Sequence, residues 1–158
     1  IGSADNWWTK EVFFPSLALD ADGYPLVSYV MNGSLHLLHC NDRFCHGGDE
    51  SNIVVDDAVL GRTALAVGSD QHPIIVYNGK DDTIEERNLK LVYCNNISCS
   101  GGTNYSISVN LLPASNVTFP QDSLSLILDR DGNPVIGYHG KGRFQLVRCN
   151  DRQCADPP

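Results

Sequence analysis

Apolar and polar residues follow one another along this chain in short blocks, and the order of blocks occurs three times. An apolar run opens each copy: Leu17 to Leu19, Ala64 to Val67 and Leu124 to Leu128. A turn segment follows, Asp20-Ala-Asp-Gly23 in the first copy, Gly68-Ser-Asp-Gln71 in the second and Asp129-Arg-Asp-Gly132 in the third. Next comes Pro-x-x-x-Tyr, beginning at Pro25, Pro73 and Pro134 and apolar at nearly every position. A third block alternates, with Leu35 and Leu37, Leu89 and Leu91, Phe144 and Leu146 on one side and His36, Lys90 and Gln145 on the other. It runs into a Cys-x4-Cys pair. A fourth block, Ile53 to Asp56 in the first copy and Tyr105 to Val109 in the second, completes the unit. The period is roughly 50 to 55 residues, within the range of repeat architectures.

Each block predicts a strand. Period-2 alternation marks a half-buried strand, and the continuous run Ile74-Ile-Val-Tyr77 marks one covered on both faces. Asp and Gly suit the backbone angles of tight hairpins. Proline at the start of the second strand sits where a missing N–H is tolerated. No window keeps a helical period, and Gly, Pro and Asn punctuate the chain every 8 to 12 residues, so no helix is expected.

The third copy lacks a fourth strand, because the sequence stops at Pro158 soon after Cys154. The segment Trp7-Trp-Thr-Lys-Glu-Val-Phe-Phe14 precedes the first copy, where a fourth strand precedes the second. The expected fold is therefore all-β: three four-stranded antiparallel blades of propeller type. Blade one covers about 15–59, blade two about 62–112, and blade three about 122–158 with strand 7–14. Trp7, Trp8, Val12, Phe13 and Phe14 are the expected assembly strand, completing the last blade in the same chain or in a neighbour. The repeat resembles the Asp-x-Asp-Gly-x-Pro…Tyr…Cys repeats of secreted propeller-like proteins that mostly lack an assigned activity. That resemblance covers nearly the whole chain and implies a fold; its motifs are turn and core residues. Trp-Asp dipeptides are absent, as are paired glycines followed by Tyr and Trp at the kelch offsets.

With 158 residues there is enough chain for one domain with a real core. The net charge is −8, and no cluster of Lys or Arg offers the basic stripe that nucleic acid requires. An anionic membrane surface is disfavoured for the same reason. No apolar run approaches the roughly 18 residues that span a bilayer as a helix. The sequence carries no initiator Met and no leader, as expected of a mature chain or a piece of a longer one.

The 6 cysteines fall as Cys40 and Cys45, Cys94 and Cys99, Cys149 and Cys154. Local disulfides are the economical pairing, and they point to an oxidising, secreted or extracellular setting. Zinc, the rival, needs four ligands converging on one point, which pairs spaced one repeat apart do not supply. Asn32, Asn96, Asn104 and Asn116 each begin an Asn-x-Ser/Thr glycosylation acceptor, and none lies in an expected strand.

Catalytic and metal patterns are sparse. Asp20, Asp22, Asp129 and Asp131 resemble the opening of a calcium loop, but the further ligands and the Glu at position twelve are missing. His36 and His39 lie three apart on a strand and face opposite sides. A glycosidase needs two carboxylates flanking a sugar, whereas Asp56/Asp57, Asp81/Asp82 and Glu85/Glu86 are merely adjacent in sequence. No nucleophile elbow, phosphate loop or dinucleotide fingerprint occurs. No metal and no cofactor are expected. The longest loop, Asn78 to Asn88, is a candidate binding loop. The expected function is a non-enzymatic, extracellular structural or adhesive repeat protein, a homo-oligomer or polymer formed by terminal strand exchange. The alternative is a lectin-type module whose repeated tyrosines, Tyr29, Tyr77 and Tyr138, stack on glycans.

Overall fold

Turn chemistry sets the strand ends. In the computed structural model, which describes residues 12–57, 59–80, 87–100, 105–107, 123–140 and 143–155, the amide of the fourth turn residue bonds back to the first in all three copies: Gly23 to Asp20, Gln71 to Gly68, Gly132 to Asp129. That residue has positive φ each time, 79°, 65° and 83°. Glycine adopts this conformation without steric cost, and copy two accepts the cost with Gln71. The other hairpin signal is Asn32-Gly33, with φ values of 54° and 80°, as a two-residue type I′ turn requires.

The described residues form strands only. β1 (Val12–Leu19), β2 (Pro25–Met31), β3 (Ser34–His39) and β4 (Ser51–Asp56) make a first sheet. β5 (Val59–Val67), β6 (Pro73–Lys80), β7 (Arg87–Tyr93) and β8 (Tyr105–Ile107) make a second, and β9 (Leu124–Leu128), β10 (Pro134–Gly140) and β11 (Arg143–Arg148) a third. Every pairing is antiparallel between chain neighbours. Both ends of the long loop expected from Asn78 to Asn88 are strand: Asn78, Gly79 and Lys80 pair with Leu89, Asn88 and Arg87. Asp81, Asp82, Glu85 and Glu86 lie outside the described residues.

One expectation is corrected. Val12 and Phe13 do not belong to a separate strand; they pair with Met31 and Val30 and extend β1 within the first sheet. Pro15 looked like a boundary. It is accommodated because β1 is an edge strand and the register shifts between Phe13 and Ser16, with Phe14 at φ 55°. Proline tolerates such positions. Trp7 and Trp8 lie outside the described residues. In the third sheet, β11 pairs with β10 alone among the described residues.

The sheets stack in chain order, with the second between the other two. Alternation along β6 accounts for this. Ile75 and Tyr77 join Leu26, Leu35 and Leu37 in the layer against the first sheet. Ile74 and Val76 join Ile136 and Tyr138 in the layer against the third. All four of these β6 side chains are at most 1% exposed, so the continuous apolar run marks a strand covered on both faces. The face a sheet turns toward the next is termed forward and the other backward. A buried hydroxyl pair pins the first interface: Ser28 Oγ and Thr63 Oγ1 are 2.7 Å apart, and Ser16 Oγ accepts from the Leu65 amide at 3.0 Å.

Candidate functional site

The polar residues that recur are concentrated at one end of each sheet, where the turn meets the disulfide loop. Three links build this corner. The amide of the first cysteine donates to the carbonyl of the strand-opening proline at 2.9 Å, Cys40 to Pro25, Cys94 to Pro73 and Cys149 to Pro134. The disulfides Cys40–Cys45, Cys94–Cys99 and Cys149–Cys154 close loops with a sequence separation of 5. Inside each loop a short side chain caps two amides: Asp42 for Phe44 and His46, Asn96 for Ser98 and Ser100, Asp151 for Gln153 and Ala155. The second cysteine has positive φ in every copy, so the bridge and the cap together hold a conformation that a side chain resists.

An acid in the turn then ties down the residue just before the first cysteine. Asp20 Oδ1 accepts from the Asp22 and Tyr24 amides, and its Oδ2 lies 3.0 Å from His39 Nε2. Asp129 caps the Asp131 and Asn133 amides and pairs with Arg148 at 2.8 Å. In copy two the acid sits two residues later: Asp70 accepts from the His72 amide and from Tyr93 Oη at 2.7 Å. Burial pushes the Asp20 and Asp70 carboxyls up, but their hydrogen bonds outweigh it and hold both below the ordinary value. Arg148 does the same for Asp129. These carboxylates are engaged by turn amides and neighbouring side chains, which gives the first Asp of the Asp-x-Asp-Gly pattern an architectural role. Among the described residues, no group of three or more His, Cys, Asp or Glu is arranged to hold a metal ion.

Between the corners of the first two sheets lies an open cleft of about 480 Å³, lined by Asp20, Asp22, His39, Asp49, Gln71 and Ile97 among others. Gln71 Oε1 accepts from the Ala21 amide at 2.8 Å and bridges the two turns. The Asp20 carboxyl is held toward the ionised form, opposite to what a general acid requires. His36 lies elsewhere, stacked on Tyr29 with ring centroids 5.1 Å apart, and burial pushes its pKa down.

The acceptor asparagines occupy different settings. Asn32 is exposed at the tip of the β2–β3 hairpin. Asn96 is half-buried and serves as the cap of its disulfide loop, the role Asp42 and Asp151 play in the other copies. Asn104 and Asn116 lie outside the described residues. Tyr77 and Tyr138 are buried at 0% and 8% exposure, so two of the three repeated tyrosines present no face to a sugar. Tyr77 Oη donates to Asp56 at the end of the preceding sheet, and Lys90 Nζ is 3.5 Å from the same carboxylate.

Neither a protein-family model nor a curated protein matches the chain.

Sequence reasoning missed the loop caps and the pairing of His39, Tyr93 and Arg148 with the turn acids. Their signal was present in the alignment of copies: an Asp or Asn two residues after each first cysteine, and a polar residue just before it. The end sheets leave apolar side chains exposed, including Leu17 and Leu19 on β1 and Phe144 and Leu146 on β11.

Proposed function

We propose that this chain is a non-enzymatic structural or adhesive repeat protein of the extracellular space, whose propeller-type blades build a self-associating glycoprotein assembly. The observation that carries it is the series of sheets: among the described residues the second is covered on both faces, while the first and third are each covered on one and leave large apolar residues exposed. Exposed apolar faces of this kind mark association surfaces. Three disulfides suit an oxidising compartment. The exposed Asn32 supports the glycoprotein element of the reading, and the engagement of the turn acids in architecture supports a role without turnover. The side of β11 that has no partner among the described residues is a place where a strand from residues before Val12 could add, in this chain or a neighbour.

The test is the mass of the folded, unreduced protein by light scattering over a range of concentrations. The expected result is a mass rising above that of one 17.3 kDa chain plus its glycans. A single-chain mass at every concentration would overturn the assembly claim.

A further inference from the structure

The two internal interfaces are made from equivalent positions, and those positions return uncovered at the two ends of the series. Forward faces contribute Leu26 and Leu37 in the first sheet and Ile74 and Leu91 in the second. The equivalents in the third sheet are Val135 and Leu146, and Leu146 is 64% exposed, with its neighbours Phe144 and Ile127 at 68% and 64%. Backward faces contribute Leu65, Ile75 and Tyr77 in the second sheet and Leu126, Ile136 and Tyr138 in the third. The equivalents in the first sheet are Leu17, Val27 and Tyr29. Leu17 pairs with Val27 across the β1–β2 ladder, and Leu17 and Leu19 are 66% and 57% exposed.

We infer that the forward face of the third sheet in one copy seats on the backward face of the first sheet in a second copy, reproducing the contact made twice inside the chain. This rests on the self-association proposed above and assigns it a surface and a polarity. Each end face has the composition that already packs against the other kind. On the forward face, the Phe144 ring covers Gly137, where an added Cβ would come within 3.3 Å of two ring atoms. That leaves a smooth apolar platform opposite Leu17 and Leu19.

An ion pair points to the same register. Inside the chain, the Arg152 guanidinium lies over Gly132 of its own turn and reaches back to Asp70 in the turn of the preceding sheet. Arg43 is the equivalent arginine in the first sheet and lies beside Gly23, the equivalent glycine, with Nε 4.0 Å from an added Cβ. Asp131 in the third sheet is the equivalent of Asp70. Arg43 and Asp131 are both exposed, and neither makes an ion pair among the described residues. Stacking one copy on the next brings them together. Association of two like faces would leave them apart. A contact between unlike faces is heterologous and therefore builds a ring where the rotation closes and a filament where it does not.

Complementation tests the inference. One variant carries Leu17→Lys with Leu19→Lys, blocking the backward face; the other carries Ile127→Lys with Leu146→Lys, blocking the forward face. All four positions are exposed, and an unchanged unfolding midpoint verifies that each variant folds. Each alone is expected to be a single chain where the wild type assembles, and a mixture is expected to give a species of twice the mass and no larger. Either variant associating alone, or a mixture that stays monomeric beside an assembling wild type, overturns this interface while leaving self-association standing. A wild type that never associates overturns both and assigns the faces to some other cover. A second measurement uses charge. Arg43→Glu and Asp131→Arg should each weaken assembly by up to about fivefold, the size of one exposed pair, and together restore it. Independent losses that add in the double variant contradict the register. Deleting residues 1–11 should leave the complementation intact, and its loss on deletion would assign the contact to strand exchange instead.

Discussion

Asn96 has two possible uses for one side chain. Its Oδ1 accepts from the Ser98 and Ser100 amides at 3.1 Å each, and its Nδ2 donates to the Ser100 carbonyl. Asp42 and Asp151 do the capping part of this work with a carboxylate, so the cap needs only the oxygen. Asn96→Asp, which removes the acceptor sequence, should leave stability within about 0.5 kcal/mol, whereas Asn96→Ala should cost about 1–2 kcal/mol by orphaning two amides. Urea unfolding of both variants checks this, and an Asn96→Ala loss no larger than that of Asn96→Asp would show that the capping oxygen contributes nothing. The titrating residues set the acid response. Burial lowers the His36 pKa from its ordinary 6.5, so the unfolded chain takes up that proton first. The contribution of His36 is full above about pH 6.5 and is lost as pH falls through the lowered folded value. Asp20, Asp70 and Asp129 are also lowered. Their stabilisation is full above about pH 4 and is lost as pH falls through the folded values. The unfolding midpoint should therefore fall in two steps, and His36→Gln should remove the upper one. A midpoint flat down to pH 4 in the wild type contradicts the upper step.

At the scale of elements, the sheet interfaces depend on a few polar ties within apolar layers. Ser28 is fully buried and Thr63 is 6% exposed, and each hydroxyl has the other as a partner. Thr63→Val strands the Ser28 hydroxyl and should cost about 1–3 kcal/mol, part of which Ser28→Ala in the same chain should return. Additive losses in the double variant would show that the pair is not coupled. Each disulfide loop is so short that its bridge contributes about 2 kcal/mol through the unfolded chain. Much of this organisation was legible in the sequence. The Asp-x-Asp-Gly and Asn-Gly turns, the strand-opening prolines and the two-faced run at Ile74 to Tyr77 each have a local cause that composition exposes. The course of β1 was not legible, because Pro15 looks like a boundary unless the edge position and the register shift are known. The turn acid of copy two was obscured as well: Asp70 stands two residues from the position of Asp20 and Asp129, and only the fold shows it reaching Tyr93, the counterpart of His39 and Arg148.

Across the whole molecule, what matters is that the series of sheets has two unlike ends. A sequence of three equivalent units specifies the contact between neighbours twice, and in the proposed assembly the same positions make a third contact, between copies. The acidic net charge of −8 opposes association over distance, and salt screens such repulsion. Assembly should therefore strengthen as ionic strength rises from about 20 to 150 mM, unless the Arg43–Asp131 pair dominates, in which case it weakens; sedimentation at the two salt levels decides which term governs. The most direct measurement is electron microscopy of the native, unreduced particle. Rings or filaments in which chains follow one another head to tail are the predicted result. A field of uniform particles no larger than one chain would contradict the central claim that these sheets continue from copy to copy.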